Sequence, residues 1–266
     1  MPTTISDEHK FLFDLQGYIR LEGVLTVAEC DEILAVLRRL EDREYEDVWM
    51  ESVEGTGRPT REVAKENQVR LNGLPRLDPI FDDLIGHERV LPYLEEFVEG
   101  PQLINTWSIS KWKDAAFSGW HRGVPVTDHT HRNGLIRTRM LNTVYFLTDN
   151  GPEDGCVVAI PGSHKSNVDL DLKTHPAYEM PGATPVVGKA GDLLLFSEAT
   201  LHDGLPKTTK GIRTNLYYNY VHAHYNGMMR EPRNCHHFYF PPDVRSRFDE
   251  TRQRLTNWME YVKWDY

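Results

Sequence analysis

Two histidines and one arginine are the residues whose types and spacing point to chemistry. His121 sits in Gly119-Trp120-His121-Arg122-Gly123, and His202 in Ala199-Thr200-Leu201-His202-Asp203-Gly204, with Arg213 eleven residues further on. Beyond it Arg213, Asn215, Tyr217 and Asn219 alternate, so an extended strand puts all four on one face. A polar face on a strand that otherwise reads as core implies a wet interior cavity. Imidazole suits Fe(II), and a guanidinium fork grips a carboxylate in bidentate fashion. Two imidazoles on separate strands with an arginine deeper inside are what an iron site chelating a 2-oxo acid requires.

Short segments rich in β-branched and aromatic residues must carry that site. They are Ile104–Trp112, Leu135–Asp149, Gly155–Ile160, Asp192–Phe196 and Thr214–Val221, each bounded by Gly, Pro, Asn or Asp. Strands at these intervals without helices between them predict an antiparallel sandwich or barrel. Residues 1–100 read as a helical buttress. Ser6 caps a helix with apolar Phe11, Leu12 and Leu15 and a stop at Gly17; Thr26-x-x-Glu29 is a capping box with Leu25 and Cys30 as its staple. Cys30, Ile33, Leu34 and Leu37 follow at helical spacing, Asp78-Pro79 starts another helix, and a further one spans Leu91 to Val98. Residues 42–70 read as a mobile excursion, residues 102–222 as the β core, and 223–266 as an extension with a helix from Pro242 to Tyr261. The expectation is one domain, mainly β with flanking helices.

The chain has 266 residues, 39% hydrophobic and 26% charged, enough for a packed core and against disorder. Thirty basic against 40 acidic residues give a net charge of −10, which disfavours long nucleic acid as a partner. No run approaches the ~18 apolar residues of a membrane span, and residues 1–20 lack the order of a signal peptide. Three dispersed cysteines exclude a disulfide scaffold and fit a reducing cytoplasm. A small-molecule substrate remains, with the oligomeric state open.

The chain resembles the phytanoyl-CoA dioxygenase family of Fe(II)/2-oxoglutarate oxygenases nearly end to end. The resemblance rests on Phe13-x-x-x-Gly17-Tyr18, Leu147-Thr148-Asp149, Glu153-Asp154-Gly155-Cys156, Ile160-Pro161-Gly162-Ser163-His164-Lys165, Gly191-Asp192, His202 and Arg213. It implies a double-stranded β-helix (jelly roll, cupin-like), iron on His121 and His202 at the barrel mouth, and O2 as oxidant. It further implies 2-oxoglutarate bound to iron and Arg213. Thr143 and Tyr145 alternate onto one face of Leu141–Leu147, which makes Thr143 a weaker candidate for the oxo-acid pocket, with structural packing as the other reading.

The departure from the family pattern matters most. Its metal triad reads His-x-Asp/Glu…His, and here Gly123 stands two after His121, with no side chain to coordinate. A similar His-x-Gly or His-x-Ala arrangement occurs in Fe(II)/2-oxoglutarate halogenases, where chloride takes the open position. This leads to an expected halogenase chlorinating an unactivated C–H of a free natural-product intermediate, nucleotides included. A hydroxylase is the alternative, and a binding jelly roll that lost catalysis with its carboxylate is the second. Asp128-His129-Thr130-His131 is a rival metal cluster, with a solvated or substrate-facing role as its other reading; separately, Asp128 could swing in as third ligand beside His121 and His202, which would restore an ordinary hydroxylase. Lys111, Arg122 and Trp120, with Trp107 and Trp112, are candidates for holding the substrate, although barrel packing accounts for each as well.

Overall fold

The computed structural model describes residues 5–42, 61–65 (backbone only), 67–117, 119–168, 170–172, 175, 179–223, 240 and 242–257. Its centre is a seven-stranded antiparallel sheet. In sheet order it contains β1 (Tyr18–Leu21), β10 (Leu193–Ser197), β7 (Met140–Phe146), β12 (Arg213–His222), β4 (Pro101–Lys111), β3 (Gln68–Asn72) and β2 (Arg61–Lys65). A smaller sheet, β11 (His202–Gly204), β8 (Val157–Ala159) and β9 (Thr184–Pro185), packs on one face of it. Val144, Phe146, Leu194, Phe196 and Tyr217 from the large sheet meet Val157, Ala159 and Val186 from the small one, and this closes the interior. A hairpin of β5 (His129–Arg132) and β6 (Leu135–Thr138) stands apart.

Helices cover the other face of the large sheet. In α1 (Asp7–Gln16) the Ser6 side chain accepts from His9 N–H, and Gly17 closes the helix at φ 84°. The stripe differs from the expected one. Phe13 is the buried residue, stacked on Phe97 at 3.9 Å between centroids, whereas Phe11 is 65% exposed. In α2 (Val27–Glu41) both arms of the Thr26/Glu29 capping box form, and Cys30, Ile33 and Leu37 are buried. The short α3 (Leu74–Leu77), a 3-10 turn over Pro79–Leu84 and α4 (Leu91–Phe97) follow. Three tyrosines of the sheet hold the 3-10 segment: Tyr145 and Tyr218 donate their hydroxyls to Leu84 O and Phe81 O, and Tyr220 Oη accepts from Gly86 N–H.

Three expectations change. Arg61–Lys65 and Gln68–Asn72 pair as β2 and β3 and extend the large sheet, so this part of the 42–70 stretch is sheet and not an excursion; residues 43–60 and 66 lie outside the described set. Leu135–Asp149 breaks at Arg139 into β6 and β7. The final helix is two short ones, α5 (Pro242–Arg245) and α6 (Glu250–Leu255), and Trp258, Cys235, His224, His236 and His237 fall outside the described residues. Cys30 and Cys156 are free and buried. Among the described residues no helix is long and apolar enough to cross a membrane.

Candidate functional site

His121 and His202 meet across the opening between the sheets. Residues 121–124 run beside residues 198–202: His121 N–H donates to His202 O at 3.2 Å, His202 N–H to His121 O at 3.1 Å, and Gly123 N–H to Glu198 O at 2.9 Å. The two rings stand 4.4 Å apart. Each turns its Nδ1 to a backbone carbonyl, His121 to Gly119 O at 3.0 Å and His202 to Thr200 O at 2.8 Å. This orientation leaves both Nε2 atoms to face a ligand, as metal-binding histidines do. Burial, and then the neighbouring His121, push the His202 pKa down to about 3, which keeps its ring neutral. The His121 ring is exposed.

Deeper along the interior lies a pair of cations. Arg213 on β12 and Lys111 on β4 are register partners facing inward. Arg213 is 2% exposed; its Nη2 donates to Gly155 O at 2.6 Å, and its Nε is buried without a partner. Lys111 Nζ donates to Leu205 O at 3.0 Å and Gly204 O at 3.3 Å. A Cβ built on Gly204 would lie 2.9 Å from Lys111 Nζ and 3.9 Å from Arg213 Nη2. Gly204 is two residues beyond His202 on the same face, roughly 7 Å along the strand, a span on the scale of a five-carbon diacid. The expected polar face is present: Asn215, Tyr217 and Asn219 point inward with Arg213, and Tyr217 stacks on Trp107 at 5.0 Å.

Next to the histidines the interior carries a residue that the spacing did not single out. Glu198 follows β10 directly and is 5% exposed. Its Oε1 accepts from Asn142 Nδ2 at 2.9 Å and Asn219 Nδ2 at 3.4 Å, and its Oε2 lies 3.8 Å from His202 Nε2. Burial raises its pKa, against the pull of His121 and these hydrogen bonds. The expected open space at Gly123 is therefore filled. A Cβ on Gly123 would collide with Glu198 Oε2 and sit 3.1 Å from Cβ and Cδ of the same side chain. Gly123 does not have a left-handed backbone, so space is what keeps this position small.

Several candidates stand elsewhere. Thr143 shares the helix-packed face of β7 with Leu141 and Tyr145 and donates its hydroxyl to Tyr218 O at 3.0 Å; Asn142 is the inward residue. Trp120 is buried with Cys156, Val158 and Leu205 on the outer side of the small sheet, so it supports that sheet from behind. Arg122 donates to Ala199 O and Ser163 O and ties the His121 segment to neighbouring loops. Lys111 lies at the arginine end rather than at the mouth. Trp112 packs against the main core. In the rival cluster Asp128 is buried with Oδ1 3.7 Å from Arg139, His129 packs on His164 at 4.3 Å, and His131 is exposed. Among the described residues no three His, Cys, Asp or Glu side chains are already drawn together as a complete ligand set. What the site offers is two oriented imidazoles, a facing carboxylate and an unsatisfied buried guanidinium, a donor set that fits iron and a dicarboxylic oxo acid.

Comparison with known proteins bears on the family and the fold. Two ectoine dioxygenases are similar. That of Stutzerimonas stutzeri (strain A1501) is 25% identical over 237 residues, covering 79% of this chain and 75% of the relative. That of Nocardia farcinica (strain IFM 10152) is 23% identical over 247 residues, covering 80% and 76%. Among solved structures, HygX from Streptomyces hygroscopicus with nickel and 2-oxoglutarate bound superposes with a TM-score of 0.69 at 21% identity, covering 84% of this chain and 89% of that one. The non-heme alpha ketoglutarate dependent epimerase SnoN from nogalamycin biosynthesis gives 0.59 at 21% identity, covering 82% and 80%. The family model for phytanoyl-CoA dioxygenase (PhyH) matches residues 13–215, a stretch that contains both histidines and the arginine, and the chain belongs to that family of oxygenases.

Proposed function

We propose that the protein is an Fe(II)- and 2-oxoglutarate-dependent hydroxylase of a free small molecule, its two sheets forming a double-stranded β-helix of the jelly-roll type. The carrying observation is the pairing of two carbonyl-oriented imidazoles, His121 and His202, with the buried, incompletely bonded guanidinium of Arg213 further along the same interior. His121 and His202 would hold the iron. Arg213, with Lys111 beside it, would hold the far carboxylate of 2-oxoglutarate. When bound, iron and 2-oxoglutarate with O2 supply the oxidising power that inserts oxygen into a C–H bond. The chain's own residues bind and orient: the Gly119 and Thr200 carbonyls fix the imidazole tautomers, and Val157, Ala159, Phe196 and Tyr217 keep the interior apolar around the cosubstrate.

Hydroxylation is favoured over chlorination because the space that chloride would need beside Gly123 holds the Glu198 carboxylate. An anion brought there would meet a second anion in a buried setting. The ectoine dioxygenase relatives point in the same direction.

Anaerobic addition of Fe(II) and 2-oxoglutarate should give a weak visible charge-transfer band that His202→Ala abolishes. With O2, mass spectrometry of a panel of amino acids, nucleotides and natural-product intermediates should find a product heavier by one oxygen in both the presence and the absence of chloride. A chlorinated product, or a brominated one in bromide, would reverse the choice between the two chemistries.

A further inference from the structure

We infer that Glu198 is the third protein ligand of the metal, a carboxylate supplied from the segment facing the position where the family pattern places it. This inference rests on the iron reading above. Residues 121–124 and 198–202 run side by side, so His121 faces His202 and Gly123 faces Glu198. The carboxylate that would project from position 123 is replaced by one projecting into the same volume from position 198. A side chain at 123 would collide with Glu198 Oε2, so the Glu198 carboxylate would have to shift to admit it.

The separation of Glu198 from His202 suits a shared ion. Two donors each about 2.1 Å from a first-row divalent cation lie about 3.0 Å apart at a right angle and at most about 4.2 Å apart. Glu198 Oε2 and His202 Nε2 are separated by 3.8 Å. The other oxygen, Oε1, is held by the amides of Asn142 and Asn219, which are register partners on β7 and β12. These amides aim Oε2 at the histidines, the kind of outer support that oriented metal ligands receive. A carboxylate this deeply buried, held by the Asn142 and Asn219 amides and the Gly123 backbone N–H, still gains from a full positive partner, and a divalent cation between it and the imidazoles provides one.

The test is calorimetric titration of Co(II) into the apoprotein with 2-oxoglutarate present, together with the visible ligand-field spectrum of the Co(II) form. Glu198→Ala and the isosteric Glu198→Gln, each checked for folding by circular dichroism, should bind Co(II) at least about tenfold more weakly and with an altered spectrum. The double variant Gly123→Asp/Glu198→Ala, which returns the carboxylate to the facing position, should recover affinity and move the spectrum back toward the native form. Native affinity and spectrum in Glu198→Gln, with binding lost in His202→Ala, would overturn the assignment of Glu198 while leaving the iron reading intact. Native binding in His202→Ala would overturn the iron reading itself.

Discussion

Arg213 is almost fully enclosed, with one nitrogen committed to Gly155 O and Nε left without a partner. A charge-assisted hydrogen bond is worth about 1.5–3 kcal/mol, and leaving a buried carboxylate unpaired costs more. Arg213→Leu should therefore raise the apparent 2-oxoglutarate requirement at least about tenfold, read from succinate formation against cosubstrate concentration; an unchanged requirement would remove Arg213 from this role. Lys111→Met should have the same direction and a smaller size, since its ammonium also has two backbone carbonyls to satisfy. The histidines and this arginine were legible because imidazole and guanidinium carry their chemistry in their residue type and spacing. Glu198 was not legible. An acidic residue four positions before His202 looks like ordinary loop charge until the 121–124 segment is laid against it, and that pairing is a long-range contact.

At the scale of elements, helix starts were readable because a cap is local: Ser6, Thr26, Glu29 and Asp78 each bond within three residues of themselves. Strand faces were less readable. Every residue of β7 is buried, on one side by helices and on the other by the second sheet, so alternation gives no label for which side is which. Thr143 therefore reads from the sequence as a pocket residue, whereas in the structure Asn142 is the inward one. The β10 strand is equally buried, as is β12 up to Val221, and only the polar run from Arg213 to Asn219 marks an inner face. The helical layer is also part of the site's support. Arg38 of α2 donates to Ser110 Oγ at 3.1 Å and Thr214 Oγ1 at 2.7 Å, directly behind the Lys111–Arg213 pair. The start of α2 is docked where Leu25 N–H donates to Gly191 O at 3.0 Å. Gly191 has φ 92°, and a Cβ there would collide with the Leu25 carbonyl. Gly191→Ala should cost about 2–4 kcal/mol, combining left-handed strain with a forced backbone shift. Urea unfolding should show the loss, and Gly211→Ala, with φ 83° and open space around it, should lose less.

Over the whole molecule, α1 is fastened to the sheets through a buried pair of neutral histidines. His164 Nε2 meets Asp14 O at 3.1 Å, Lys165 also donates to Asp14 O, and the His129 ring lies 4.3 Å from His164 and 6.0 Å from Phe13. Both rings are held to a pKa of about 4, first by burial; for His129 the next cause is His164 itself, for His164 the opposing hydrogen bond to the Asp14 carbonyl. A histidine with a depressed folded pKa stays neutral in the native state while the unfolded chain takes up its proton below about 6.5. The unfolded state then binds more protons, so stability falls as pH drops from about 6.5 towards 4 and changes little above that window. Each ring should contribute roughly 1 kcal/mol of this loss between pH 7.5 and 5.5. The buried carboxyls with raised pKa, Asp82, Asp203 and Glu198, act in the opposite sense, so the wild-type slope alone does not isolate the histidines. The comparison with His129→Leu does. In metal-free protein, urea unfolding at pH 7.5 and 5.5 should show the variant losing about 1 kcal/mol less than the wild type on acidification. An identical loss in both would mean that His129 does not hold α1 in its neutral form.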